Sequence, residues 1–542
     1  MKEKYMFWRT SGWGLSLLLV LPILAIFYTA IGESDDVFSH LMGTVMATYT
    51  SNTFWLVLVT MLLALLFGLP AAWVMAMCRL PGEKVLQWAL VLPLAMPGYI
   101  IGYIYTDWFD YAGPIQIFLR DVFGWQSIHD YWFPDIRTLG GASMVLALVL
   151  YPYIYLLARA AFMEQSTSLL QSARLLRCSP WDSFCRISLP LARPSIAVSL
   201  SLVAMETLGD FGTVSYFAVN TLTTAVYDTW LGYSNLNAAA KISAIMLMVI
   251  FLLISAERFS RRKQKLFQQE FDHGDDIRYA LTGMKKWLAL IWCWGLVGCA
   301  FVMPLLQLGY YAWHYFAESW TSQFQQYSIN SLMVSIVAAL LAVMLALIVN
   351  FYHRLDGRKS TLVPIRASSL GYAVPGTVLA IGVMIPLTSA DHLLNDFAIS
   401  FGLGRPGLVF SGTMIAIIFA FVVRFAAVAI GSIESSLAKV PPSLDMASKT
   451  MGYASTQMLR RVHLPLIRRG CLIAGLLVFI ESMKELNAAL LLRPFNFETL
   501  ATYVFNFASD EQLELAALPA ILLVIVGLVP LVMVNRSLEQ KH

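Results

Sequence analysis

Long apolar stretches of about 20 residues, separated by short polar segments, run through the whole chain. Each is long enough to cross a bilayer as a helix, whereas the alternating ten-residue pattern typical of a membrane β-barrel does not occur. The pattern therefore predicts an all-α polytopic membrane protein with about twelve spans, six in each half. The predicted spans lie near 14–31, 53–78, 86–106, 140–162, 194–217 and 237–257, then near 287–312, 330–352, 362–388, 408–430, 470–491 and 515–534.

The first apolar run, Gly14–Ile31, follows three basic residues and has some features of a signal peptide. The second half of the chain argues for a retained helix instead. Leu19–Pro22 resembles Phe301–Pro304, and apolar residues and a tyrosine follow both segments. We therefore expect the first run to remain as a spanning helix.

A polar, basic segment between two apolar runs occurs twice in the chain. QSARLLRCSPWDSFCRISLPLAR at 171–193 aligns without a gap with MASKTMGYASTQMLRRVHLPLIR at 446–468, 275 residues later. Weaker matches extend the repeat to other positions, including Pro97-Gly98 with Pro375-Gly376. A polar loop at the same place in both copies of a repeat indicates a docking surface more than a simple connection.

The repeat predicts the domain organisation. We expect a first half at 1–257 with its polar loop at 164–193, a linker at 258–286, and a second half at 287–542 with its loop at 434–469. With six spans each, the halves enter the membrane in the same direction. They should then be related by an axis along the membrane normal, with a pathway at their interface. Two independent bundles side by side are the alternative.

Composition and charge agree with a membrane location. Hydrophobic residues form 58% of the chain, charged residues 13%, and the mean hydropathy is +0.68, whereas soluble domains are about a quarter charged. The net charge of +4 gives no indication of nucleic-acid binding. Basic residues concentrate in 258–286, and the predicted outer segments 33–52, 218–236 and 313–329 have neither Lys nor Arg. The positive-inside rule thus places both termini and the linker in the cytoplasm, although Arg120, Arg137 and Arg405 lie in longer outer segments.

Motifs for chemistry on the chain itself are missing from the sequence. It has no G-x-x-x-x-G-K-[ST] loop to hold a nucleotide phosphate, no HExxH, and only scattered histidines. A membrane enzyme is therefore disfavoured, and energy for transport must come from a partner or an ion gradient. A secondary transporter driven by an ion gradient is the alternative to a transporter driven by a partner protein. A gradient-driven transporter, however, has no use for two matched cytoplasmic loops.

Ionisable residues within the predicted fifth span of each half are candidates for the translocation path. Such residues are expensive in lipid and should face protein or water. Their oxygens suit a hard trivalent cation, but they can equally line a water-filled route, close a gate through ion pairs, or only pair helices. The candidates are Glu206 and Asp210 in the first half and, at the same offset, Glu481, Lys484 and Glu485.

The repeated loop resembles the EAA loop, E-A-A-x-x-x-G-x9-I-x-L-P, of ATP-binding-cassette (ABC) importer permeases. In that family the loop forms a coupling helix that sits in a groove of the ATPase subunit. Here Gln171 and Met446 replace the glutamate, and Arg177 replaces the glycine that the second copy keeps as Gly452. The resemblance implies that the ATPase contacts two matching sets of residues: Gln171, Ser172, Ala173, Arg177, Leu189 and Pro190 in the first loop, and Met446, Ala447, Ser448, Gly452, Leu464 and Pro465 in the second. Because only the second loop keeps the glycine, we expect the two contacts to differ in strength.

The whole chain is similar to fused, two-halves-in-one permeases for ferric iron, through Leu92–Tyr99, Tyr151–Arg159 and Asp210–Phe217. That similarity implies a type I importer fold in a bacterial inner membrane, contacts with lipid, and ferric iron as substrate. It also implies a separate ATPase homodimer that uses ATP and a periplasmic binding protein, with no cofactor on this chain. Because permeases for thiamine and other small solutes share the fused layout, they remain the alternative.

Overall fold

The computed structural model describes residues 6–32, 36–165, 171, 175, 178–261 and 278–539. Ten helices in these ranges are long and apolar enough to cross a membrane, and an eleventh span is bent by 92° between Glu83–Ala95 and Gly98–Phe123. A shorter apolar helix, Leu513–Val529, occupies the position of the last predicted span. The predicted all-α polytopic fold is confirmed.

The first half of the chain consists of short and long helices joined by tight turns. Its elements are α1 (Met6–Ala30), α2 (Asp36–Thr44), α3 (Met46–Met77), β1 (Cys78–Arg79), α4 (Glu83–Ala89), a 3-10 turn (Leu92–Ala95), α5 (Gly98–Phe109), α6 (Pro114–Phe123), a 3-10 turn (Ile128–Asp130), α7 (Leu139–Met163), α8 (Pro180–Ser183), a π-turn (Phe184–Ser188), α9 (Leu189–Gly209), α10 (Gly212–Tyr216), α11 (Leu222–Leu231) and α12 (Leu236–Arg261).

The second half repeats this order after a short strand. Its elements are β2 (Tyr279–Ala280), α13 (Gly283–Val297), a π-turn (Gly298–Val302), α14 (Met303–His314), α15 (Phe316–Ser319), α16 (Ser322–Asp356), a 3-10 turn (Lys359–Thr361), α17 (Leu362–Ser368), a 3-10 turn (Leu370–Ala373), α18 (Gly376–Ser400), α19 (Met414–Ala438), α20 (Pro442–Thr450), α21 (Ser455–Met458), a π-turn (Leu459–His463), α22 (Leu464–Lys484), α23 (Asn487–Leu492), α24 (Leu500–Ser509) and α25 (Leu513–Glu539).

The helices form two compact units that do not follow the predicted halves. One unit comprises Met1–Thr44, Ala225–Leu247 and Ala317–Asn506, and the other comprises Val45–Thr224, Met248–Phe316 and Phe507–His542. The opening helix of each half is thus part of the unit that holds most of the other half. The predicted boundaries at 257 and 287 describe the repeat along the sequence, and the compact units cross them.

Aromatic packing holds α1 in the unit built mainly from the second half. Trp8 is buried with Phe351, Tyr352, Leu355 and Met458, and its ring meets that of Phe351 edge-on at 4.9 Å between centroids. This cluster joins the start of α1, the end of α16 and the last residue of α21, so these three points lie at the same end of the helix bundle.

The other unit is centred on the packing of α3 against α7. The two backbones approach closely at Gly68, where a Cβ would lie 2.7 Å from the carbonyl oxygen of Tyr151. The end of the linker is also fixed in this unit. Tyr279-Ala280 pairs with Cys78-Arg79 as a parallel two-stranded sheet, and Arg278 forms an ion pair with Glu83 at 2.9 Å.

Four of the predicted spans are interrupted, which corrects their expected continuity. Those at 86–106 and 362–388 break at Pro97-Gly98 and Pro375-Gly376, where each proline is extended and a new helix begins at the glycine. Proline lacks the N–H that a continuous helix requires. The spans at 194–217 and 470–491 end at Gly209 and Lys484, for a reason given by the side chains described below.

Replacing Gly68 with alanine should lower the thermal stability of the detergent-solubilised protein. The new methyl group would meet the Tyr151 carbonyl and the Ile154 side chain, and overpacking of this kind costs about 1–3 kcal/mol. Gly295→Ala in α13 is the matched control, because nothing lies within 4 Å of its added Cβ. Similar melting temperatures for both variants would contradict the close α3–α7 approach.

Candidate translocation and coupling sites

A carboxylate caps the helix that follows the break in the fifth span of the first half. The backbone N–H groups of Thr213 and Val214 donate to Asp210 Oδ1 at 3.0 and 3.1 Å, and the Thr213 hydroxyl donates to Oδ2 at 3.0 Å. Asp210 therefore satisfies donors that α10 would otherwise leave unpaired at its first turn. The capped turn explains why α9 stops at Gly209.

The second half repeats the arrangement at Glu485, 275 residues later. This carboxylate is buried and accepts from the N–H groups of Ala488 at 3.1 Å and Ala489 at 3.2 Å. The Arg424 guanidinium lies 3.9 Å from it and also donates to the Val374 carbonyl at 3.3 Å. The same cap thus interrupts the second fifth span, with an arginine added.

The remaining three predicted path residues do not cap helices. Lys484 and Glu481 pair at 3.3 Å, and the Glu481 side chain is 44% exposed. Glu206, one turn before Asp210, is half-buried. The five predicted residues are therefore divided between two helix caps, the half-buried Asp210 and the buried Glu485, and three side chains that precede them in the chain. The sequence suggested cation contact, a water-filled route, a gate or helix pairing for these residues and did not suggest capping, although Asp210 followed by Phe-Gly-Thr is an N-terminal cap signal.

The broken third spans pack against these caps. A Cβ on Gly376 would lie 2.5 Å from Glu485 Oε1 and 3.0 Å from an Arg424 nitrogen. A Cβ on Gly98 would have only the Thr213 hydroxyl within 3.4 Å, at 3.3 Å. Glycine is thus required more strictly after Pro375 than after Pro97.

A polar cavity of about 170 Å³ lies within the unit built mainly from the first half, beside the segment 107–139. Arg137 bridges two of its carboxylates, Asp110 at 3.2 Å and Glu511 at 2.9 Å, and lies over the Tyr216 ring. Burial alone would lower the pKa of Arg137, but the hydrogen bond to Glu511 and the surrounding negative groups raise it above its ordinary value. The sequence argument missed this cavity because its lining comes from distant segments.

Metal-binding geometry is absent from the part of the chain that the structure describes. No group of three or more His, Cys, Asp or Glu side chains there is arranged to hold a metal ion.

The second coupling loop exposes most of its predicted docking residues. Met446 is 64% exposed, Ala447 and Pro465 are exposed, and Leu464 is partly so. Ser448 is buried, with its hydroxyl donating to the Leu444 carbonyl, so it faces the interior. Gly452 ends α20 with φ +78°, and the Tyr453 N–H donates to the Ser448 carbonyl, as in a Schellman turn.

The first coupling loop is described only in part. Gln171 is helical and exposed, and Leu189 and Pro190 are half-buried at the start of α9. Ser172, Ala173 and Arg177 lie outside the described residues.

Gly376→Ala should reduce transport more than Gly98→Ala. The added methyl group would displace Glu485 or Arg424 in the first variant, whereas in the second it meets one hydroxyl that can rotate away. The measurement is substrate uptake in vesicles, normalised to the amount of folded protein. Equal losses would contradict the tighter packing of the second Pro-Gly pair.

Comparison with known proteins gives the family of the chain. Residues 64–265 match the family described as binding-protein-dependent transport system inner membrane component. The chain is 26% identical to the Fe(3+)-transport system permease protein FbpB 2 of Haemophilus influenzae over 544 residues, covering 98% of both chains. It is 23% identical to the putative ferric transport system permease protein FbpB 1 of the same organism, over 88% of this chain and 75% of that one.

A shorter relative matches at higher identity. The molybdenum transport system permease protein ModB of Escherichia coli is 32% identical over 215 residues, which is 37% of this chain and 90% of ModB. With its many spans, its repeated EAA-like loop and these similarities, the chain belongs to the family of inner membrane components of binding-protein-dependent transport systems, and it is a multi-pass, non-enzymatic permease subunit of an ABC importer.

Proposed function

We propose that this permease carries ferric iron from a periplasmic binding protein into the cytoplasm. The observation that carries the proposal is the extent of the similarity. A ferric permease aligns with 98% of the chain, from end to end, whereas the molybdenum permease aligns with only 37%. The fused two-half layout is thus shared with ferric permeases. Thiamine or another small solute is the alternative substrate, and a gradient-driven transporter is a weaker one.

Both termini and the linker are proposed to face the cytoplasm, together with both coupling loops. Charge supports this, since Lys and Arg concentrate in 258–286. Packing supports it independently for one terminus. Trp8 lies in the same buried cluster as Met458, six residues after Gly452, so the start of α1 and the second coupling loop lie on the same side of the membrane.

Energy is proposed to come from a separate ATPase homodimer that uses ATP, with one ATPase subunit docked on each coupling loop. This chain then binds no cofactor of its own. In the second loop the exposed Met446 and Ala447 offer a low, uncharged surface, and the turn at Gly452 has no side chain to obstruct a partner. ATP-driven closure of the ATPase dimer would push on both loops and alternately open the path to each side.

Within the path, the two kinds of fifth-span residue are proposed to act differently. Asp210 and Glu485 hold the helix breaks, so their replacement would change the shape of the path. Glu481, with a 44% exposed side chain, is the better candidate for direct contact with a cation. Carboxylate oxygens are the ligands that a hard trivalent ion prefers.

Reconstitution with the ATPase and the binding protein tests the function directly. We expect ATP-dependent uptake of ferric iron into vesicles, lost when either partner is omitted. Thiamine and molybdate, offered with the same components, should not be taken up. Uptake without the ATPase would overturn the ABC mechanism, and uptake of thiamine alone would overturn the iron assignment.

Unequal docking of the two coupling loops can be measured by pull-down with the ATPase. We expect Gly452→Asp to weaken association more than Arg177→Asp, because Gly452 has a positive φ that disfavours any side chain. Arg177 is already a departure from the family pattern. Equal losses would contradict the unequal contacts.

A further inference from the structure

Asp445 is a half-buried carboxylate in α20, the second coupling helix. Its side chain is 15% exposed, next to Met446, which is 64% exposed. The Nε of Arg354 donates to Asp445 Oδ2 at 2.6 Å, and the Nε2 of His463 lies 2.7 Å from Oδ1. Because the carboxylate accepts from Arg354, the short contact to His463 requires a proton on that ring nitrogen.

The two partners of Asp445 connect it to other elements. Arg354, near the end of α16, also donates to the carbonyl of Leu437 at 3.1 Å and to that of Val440 at 2.7 Å. His463 is fully buried in the π-turn that runs directly into α22. Asp445 therefore joins the coupling helix to α16, to the end of α19 and to the start of α22.

A single helix, α22, connects the hydrogen-bonded network of Asp445, Arg354 and His463 to the break in the fifth span of the second half. Helix α22 begins at Leu464 and ends at Lys484, immediately before the Glu485 cap. Charge-assisted hydrogen bonds between buried groups are strong and hold a fixed geometry. A displacement of α20 would thus pass to α22 through side-chain bonds as well as through the connecting chain.

The first half lacks two members of this network. At the offset of 275 residues that aligns the loops, Arg79 corresponds to Arg354, but Leu170 corresponds to Asp445 and Ser188 to His463. Leucine cannot accept a hydrogen bond from the arginine, and serine is too short to replace the imidazole. A carboxylate and an imidazole at these two aligned positions thus occur in the second half only.

We propose that Asp445 is a positioning residue that makes the second coupling helix a rigid lever on α22. The inference rests on the proposed ATP-driven function, and it assigns the intramolecular contact that transmits the force. The proposed docking residues Met446 and Ala447 follow Asp445 in the same helix and are turned about 100° and 200° from it around the helix axis.

The test uses the full chain with its ATPase and binding protein in vesicles, comparing Asp445→Asn and Asp445→Leu with the unchanged protein. A label at Leu472, which is 72% exposed on α22, reports movement of that helix when ATP is added. We expect the ATPase to remain bound, the ATP-dependent signal to be lost, and uptake per ATP hydrolysed to fall about tenfold. Asp445→Glu should restore part of the signal.

Two further variants separate the lever from a general loss of folding. Asp356→Asn removes a carboxylate at the same end of α16, one that pairs with the largely exposed Arg358 at 3.3 Å, and it should behave like the unchanged protein. His463→Gln keeps the charge of Asp445 and should give an intermediate loss if the aspartate variants fail to fold.

The outcomes distinguish the lever from the function on which it rests. An ATP-dependent label signal that survives in Asp445→Asn, or an equal loss in Asp356→Asn, would overturn the lever alone. Loss of ATPase binding in the Asp445 variants would also overturn it, since Asp445 would then act in docking. A signal in the unchanged protein without ferric uptake would overturn only the iron assignment. No ATP effect in the unchanged protein would overturn the ATP-driven function and the lever together.

Discussion

Backbone hydrogen bonding in a medium without water is the constraint on which this structure depends. A helix that breaks inside a membrane exposes N–H groups that lipid cannot satisfy. Asp210 and Glu485 supply the missing acceptors in the two halves, and each lets a span end and a short helix begin. After the break in each neighbouring third span, a new helix begins at Gly98 or Gly376, and these glycines leave room for the caps. Irregular backbone at membrane depth is where transporters of several folds place their pathways, so the caps connect the folding requirement to the transport function.

The two halves share this plan but differ in its polar detail. Glu485 has Arg424 beside it, whereas the corresponding part of the first half, 146–149, is Leu-Ala-Leu-Val. The second coupling loop likewise has the half-buried Asp445 and a glycine at its turn, and the first has Leu170 and Arg177 at the aligned positions in the sequence. A fused chain allows such divergence because each half always meets the same partner half.

Hydropathy alone predicted the helices well, since nearly all apolar runs became spanning helices. It could not predict the breaks, because an average over about 20 residues hides one capping carboxylate. The sequence also could not predict that α1 belongs to the unit built mainly from the second half and that α13 and α14 belong to the other unit. The apolar face of a helix does not specify the helix against which it packs. Among the candidate site residues, the loop positions were predicted from their resemblance to the EAA motif. The ionisable residues of the fifth spans were predicted because a charged side chain is costly in lipid. Asp445 was overlooked because it lies one residue outside the EAA pattern. Its importance depends on Arg354, 91 residues away in sequence.

The central claim is that ATP hydrolysed by a separate subunit acts on this chain through its coupling loops. A photo-reactive amino acid at Met446, which lies in α20 and is 64% exposed, tests it in the assembled complex in native membranes. The account predicts a covalent product with the mass of this chain plus one ATPase subunit. It also predicts no such product from the same group at Leu393, which lies in α18 and is 71% exposed. Equal cross-linking from the two positions, or none to the ATPase from Met446, would contradict the account.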